Sequence, residues 1–208
     1  MWKLITLCLL SLTTILSAQT KVLAFAGSAR TESVNKKLVY EAGRLASEMG
    51  ADVTFIDLKD YPIQLYNGDL EVKEGMPGNA KHIRKLMIES QVILIASPVH
   101  NGTVSALLKN TLDWASRSEQ GGSSREAFKG KVFAIMSASP GKGGGLKGLS
   151  HLRDIIEDIG GTVIPQQVGI PGAYQAFDEK GKLKDQVLRA DLRNLVWIAL
   201  GKQRVTTQ

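Results

Sequence analysis

Hydroxyl, amide and guanidinium side chains crowd one short stretch of this chain. Residues 27–35 read Gly-Ser-Ala-Arg-Thr-Glu-Ser-Val-Asn. Ser28, Thr31 and Ser33 offer hydroxyl donors, Asn35 an amide, and Arg30 a planar cationic fork that matches phosphate oxygens. The stretch follows an apolar run, 22–26, and precedes a helical stripe of Val34, Leu38, Ala42, Leu45 and Met49. Strand, polar loop, helix is the order in which backbone N–H groups and a helix dipole jointly favour an anion. The loop has neither the P-loop pattern nor Gly-x-Gly-x-x-Gly, so a terminal monophosphate fits it better than a pyrophosphate. A plainer reading of the same residues makes Ser33 a helix cap and leaves Arg30 solvated.

Two further apolar runs end in comparable loops. Val92 to Ala96 leads into Ser97-Pro98-Val99-His100-Asn101-Gly102-Thr103, and the strand ending at Ala138 leads into a glycine-rich turn through Gly145. Helical stripes follow each: Val104, Leu107, Leu108, Leu112 and Ala115, then Leu146, Leu149, Leu152, Ile155 and Ile159. Further strands are expected at Asp52 to Leu58 and Thr162 to Val168, and a last helix from Leu183 to Leu200. Between Lys59 and Gly78 the chain carries four Pro or Gly positions and little periodicity. This reads as a long connection, in which Tyr61, Leu65 and Tyr66 either pack or line a pocket or interface. Five strands alternating with helices give an α/β, doubly wound, five-stranded parallel sheet with helices on both faces. In the flavodoxin-like order 2-1-3-4-5, strands one, three and four end side by side at the rim where open α/β sheets bind ligands. The three unusual loops would meet there.

Length and composition bound the rest. The chain has 208 residues, 43% hydrophobic and 22% charged, enough for one domain over residues 19–208. A net charge of +6 favours anionic ligands. The basic residues form no aromatic-interleaved stripe, which argues against nucleic acid as a partner. Residues 1–18 read as a signal peptide: Lys3, an apolar run from Leu4 to Leu16, and a small residue, Ala18, before the cut. Leu16 is large for its place before the cut, and an uncleaved membrane anchor or a cytoplasmic protein is the alternative to export. The single cysteine, Cys8, lies in this leader, so the mature chain has no thiol chemistry, disulfide or cysteine metal site. Three scattered histidines give no metal ligand set.

Taken with their spacing, these blocks resemble the NADPH-dependent FMN reductase family of flavin, quinone, azo-dye and chromate reductases. The motifs are the 27–35 loop, then 97–103 running into Leu108-Lys109-Asn110-Thr111-Leu112-Asp113-Trp114, then Gly130-Lys131, 137–144 and Leu152-Arg153. The resemblance covers nearly all of the chain after residue 20. It implies that Ser28, Arg30, Ser33, Val34 and Asn35 hold the FMN phosphate. It places Pro98, Val99, His100, Asn101 and Gly102 against the isoalloxazine, with Ser137, Ser139 and Gly141 on the other edge. It also implies NADPH or NADH as donor, a quinone or similar small acceptor, ping-pong transfer through flavin N5 with no side-chain acid or base, and a homodimer or homotetramer. The chain departs from the family at Val99-His100, where a Glu-Tyr pair is usual. A flavodoxin-type electron carrier and a flavin-binding module without turnover are the alternatives; the net positive charge counts against the carrier.

Overall fold

The computed structural model describes residues 18–202. The expected leader, with Cys8, lies outside the described residues apart from Ala18. Three strands make the centre: β1 (Lys21–Ala26), β3 (Val92–Ala96) and β4 (Val132–Ala138), with β2 (Asp52–Phe55) on the outer side of β1. All pair in parallel, in the order β2-β1-β3-β4, with β5 (Thr162–Val163) beyond β4. β1 after Lys21 and all of β3 are buried because both faces are covered, which is why they read as unbroken apolar runs.

Alternation along these strands divides the core in two. Val22, Ala24 and Ala26 face one side, where α1 (Val34–Glu48) and α6 (Gln186–Ala199) lie. Leu23 and Phe25 face the other, covered by α3 (Gly78–Glu89), α4 (Ala106–Ala115) and α5 (Leu146–Asp158). Each fully buried large apolar side chain contributes about 1.5–3 kcal/mol, so the two layers supply the main driving force. Right-handed crossovers from each strand to a helix return every strand in the same direction, and so collect the strand exits at one rim.

Four expectations need correction. The fifth strand is two: β5 (Thr162–Val163) and β6 (Val168–Ile170), both paired to β4, so the sheet has six strands. The register Phe133↔Val163 becomes Met136↔Val168, so this side carries two more residues than β4 between the two ladders. Pro165 sits in the interruption, where it has no N–H to give a ladder. Arg153 of α5 donates instead to the carbonyls of Val163, Ile164 and Pro165, pinning the detour. The strand expected through Leu58 stops at Phe55, because Asp57 accepts from Lys59 N and starts a 3-10 turn at Leu58–Asp60. The connection after it contains a short helix, α2 (Gly68–Glu74). The last helix begins at Gln186, capped by Asp185, rather than at Leu183.

Candidate active site

At the exit of β1 the chain is held before it is free to bind anything. Gly27 N donates to Ala96 O on β3, and Ser105 Oγ, capping α4, donates to Gly27 O at 2.6 Å. A side chain at Gly27 would meet Leu108 of α4 at 2.8 Å, so only glycine lets α4 come this close. Beyond it, Ser33 takes the N-cap position of α1 with an extended backbone, yet its hydroxyl makes no cap bond. Asn67, Ser105 and Asp185 do cap their own helices. The amides of Val34, Asn35 and Lys36 have no acceptor among the described residues. Arg30 is exposed, and its guanidinium makes no hydrogen bond or ion pair among them either. Three first-turn amides without partners are ordinary only where water or a ligand satisfies them. The plainer reading, a side-chain cap by Ser33, is not what the structure has.

The surrounding side chains fix this loop rather than compete for it. Lys36 is buried against Asp57, and Thr31 accepts from Lys59, which turns that hydroxyl away from the cleft. Asn35 exchanges two hydrogen bonds with the Ala138 backbone, at 3.0 and 2.9 Å, and so ties the start of α1 to the end of β4. Its amide is therefore a strut, which leaves its unpartnered backbone N–H as the Asn35 donor available at the cleft.

The loop after β3 is a tight hairpin. His100 and Thr103 exchange backbone bonds at 2.9 and 3.1 Å across Asn101 (φ 52°) and Gly102 (φ 86°). Two central residues at positive φ define a type I′ turn, for which Asn-Gly is the favoured pair. Val99 packs its side chain towards Gly145 and Gly148, where a Cβ would lie 3.1 and 2.7 Å from it. That leaves the backbone of Pro98 to His100 as the wall.

These pieces enclose one cleft. From the first loop it is lined by Ser28, Arg30, Glu32, Ser33, Val34 and Asn35; from the second by Pro98, Val99 and His100; from the third by Ala138, Ser139 and Pro140. The three loops do converge. Asn101 and Gly102 shape the hairpin tip without lining the cleft, and Gly141 is exposed beyond it. Ser137 lies below the surface, fully buried, with its hydroxyl unpartnered and packed under Gly145. Glu32 and Tyr174 line the cleft and were not expected there. Tyr174 arrives from the loop after β6, and a lone aromatic in a turn gives no signal in the sequence. A wider hollow, about 280 Å³, lies against Ala190, Arg193, Asn194 and Trp197 of α6, but no strand exit reaches it. Among the described residues no group of His, Cys, Asp or Glu could hold a metal, and no helix is long and apolar enough to cross a membrane.

Known proteins share this fold. The family model for NADPH-dependent FMN reductase matches residues 20–175, which takes in all three loops and Tyr174. The chain belongs to the NADPH-dependent FMN reductase family. It is 35% identical over 181 residues to an NADPH:quinone oxidoreductase of Arabidopsis thaliana, covering 85% of this chain and 88% of that one. It is 33% identical over 176 residues to an NAD(P)H-dependent FMN reductase of Pseudomonas aeruginosa, covering 84% and 90%. Among solved structures it is similar to the flavoenzyme NAD(P)H:(acceptor) oxidoreductase FerB of Paracoccus denitrificans, with a TM-score of 0.72 at 23% identity, over 88% and 96% of the two chains. Membership makes this chain an NAD(P)H-dependent flavin oxidoreductase with FMN as cofactor. Its own residues fit that group: an uncapped helix start, hydroxyls and an unpaired guanidinium suit the phosphate, and a backbone wall suits a flat ring.

Proposed function

We propose that this reductase takes reducing equivalents from NADPH or NADH and passes them to a quinone or similar small acceptor, in two half-reactions that share one open site. The relatives' names supply the acceptor class; the cleft supplies the reason for the rest. When bound, FMN would supply the redox chemistry through N5, and the residues described above would hold and orient it. The observation that carries the reading is the start of α1, where the Val34, Asn35 and Lys36 amides and the Arg30 guanidinium lack partners among the described residues, beside Ser28 and Ser33. Arg30 would clamp the phosphate, Ser28 and Ser33 would donate to it, and the Pro98–His100 backbone would stand against the ring. Because the wall is backbone, no side-chain acid or base is assigned, and His100 serves as a polar edge in place of a tyrosine.

Protein loaded with FMN and mixed anaerobically with NADPH is expected to lose its flavin band near about 450 nm and to regain it on adding a quinone. A band that persists in the presence of NADPH would make the protein a carrier and sink the proposal. Arg30→Ala should weaken FMN binding by about 1.5–3 kcal/mol, the scale of a charged hydrogen bond, which is roughly tenfold to a hundredfold in Kd. Titration by fluorescence measures this; an unchanged Kd would remove Arg30 from the phosphate site.

A further inference from the structure

Among the described residues Tyr174 has none of the partners expected of a tyrosine in a folded domain. It is 63% exposed, while its neighbours Ala173 and Phe177 are buried. Its hydroxyl makes no hydrogen bond among the described residues, and its ring meets no other ring. It nevertheless lines the cleft of Arg30 and Ser33. An exposed aromatic ring held over a polar cleft carries a cost in water contact that packing does not return, which directs attention to its polar tip.

The hydrogen bonds say which end of the cleft it serves. Ala173 N donates to Ser139 O at 3.2 Å, and Ser139 N donates to Ile170 O at 3.0 Å, so the loop carrying Tyr174 is laced to the exit of β4. One residue back, the Ala138 backbone is bonded both ways to Asn35 in the first turn of α1. The chain of bonds thus runs from Tyr174 to the start of α1. No backbone bond links this loop to the His100 hairpin. The hollow is also small, about 190 Å³, against roughly 300–1,000 Å³ for sites that enclose a whole small molecule. It suits the phosphate-bearing end of a mononucleotide, with the ring left to the open lip at Pro98–His100.

We propose that Tyr174 is a further phosphate residue: its phenol closes the anion end of the cleft opposite the start of α1 and donates its O–H to the FMN phosphate. An O–H donated to a phosphate oxygen is a charge-assisted bond, among the stronger kinds. Glu32, exposed on the same cleft, repels the phosphate, so a neutral donor on the far wall adds affinity without adding another charge to the loop. This inference rests on reading the cleft as the FMN site, and the test separates the two.

Dissociation constants are measured for FMN and for riboflavin, which lacks the phosphate, with wild type, Tyr174→Phe and Tyr174→Ala. Because the side chain is mostly exposed, both variants should melt like wild type. Tyr174→Phe is expected to bind FMN roughly tenfold more weakly while its riboflavin affinity stays unchanged. Tyr174→Ala should add little to that loss. Equal losses for FMN and riboflavin would overturn the proposal by making the residue a ring contact. So would a Tyr174→Phe protein that binds FMN like wild type, with the FMN site itself left standing. Wild type that binds neither flavin would overturn the site and the proposal together.

Discussion

Glu71→Gln is expected to lower stability by about 3–5 kcal/mol, the usual loss when one member of a buried ion pair is removed. Glu71 is 7% exposed, on α2, in the connection that looked featureless. Arg117 grips it through Nε and Nη2 at 2.8–3.1 Å, and Tyr66 Oη donates to it at 3.1 Å. The Arg117 guanidinium lies 5.4 Å over the Tyr66 ring, Tyr66 N donates to Asn110, and Trp114 Nε1 donates to Gln64 O. This cluster fastens the whole 61–75 segment to α4. The hydrogen bond from Arg117 holds the Glu71 carboxyl below the ordinary value of 4.5, against burial, which pushes it up. The same pair raises Arg117 above its ordinary range. A lowered carboxyl value means the unfolded chain takes the proton first as pH falls. The contribution is therefore whole above about 4.5 and is lost as pH drops through the folded value. Thermal melts should show Glu71→Gln down by roughly 6–20 °C near neutrality, with a weaker acid dependence than wild type. Its FMN affinity should match wild type, since none of these residues lines the cleft. A melting point within 2 °C of wild type, on the order of 1 kcal/mol or less, would show that the cluster fastens nothing.

That cluster also explains what the sequence concealed. Helix α2 buries a carboxylate, Glu71, and exposes an aliphatic residue, Val72, at 89%. Its pattern of apolar residues is the reverse of an amphipathic helix, so periodicity has nothing to find. Tyr66, by contrast, does pack, edge-on to Trp114, and Tyr61 stacks on His82; Leu65 stays exposed. The sheet order and the meeting of three loops were legible because β1 and β3 are covered on both faces and each is followed by a polar turn. The Asn101-Gly102 turn was equally open to reading, since few other pairs accept two positive φ angles. The division of labour inside the site was not. Asn35 looks like a phosphate ligand through its amide, but that side chain bonds Ala138, 103 positions away in the chain. Ser137 looks like a ligand too, but the strand's alternation points it under Gly145. Such facts depend on tertiary register, which local residue types do not encode.

Gly144→Ala is expected to cost about 3 kcal/mol, and to do so at the site rather than in the core. Gly144 sits at φ 56°, where a Cβ is strained by about 1–2 kcal/mol. The added carbon would also lie 2.6 Å from Gly169 C and 2.8 Å from Ile170 N, backbone atoms of β6 that cannot swing aside. Overpacking of that kind costs about 1–3 kcal/mol more. The facing residue is glycine as well: a Cβ at Gly169 would come within 2.8 Å of Leu146 and 3.1 Å of Gly144 O. Two glycines therefore let the loop after β4 cross the end of β6 backbone to backbone. To relieve the clash β6 must move outwards, and Ile170 O is the acceptor for Ser139 N. The displacement would then pass to Ser139, to Ala173 and to Tyr174, all on the side of the cleft opposite Arg30. The melting point should fall by roughly 6–12 °C, and FMN affinity should fall with it. Glu71→Gln, by comparison, loosens a distant fastening and leaves affinity alone. A Gly144→Ala protein that melts lower yet binds FMN like wild type would show that the crossing supports the fold without setting the cleft.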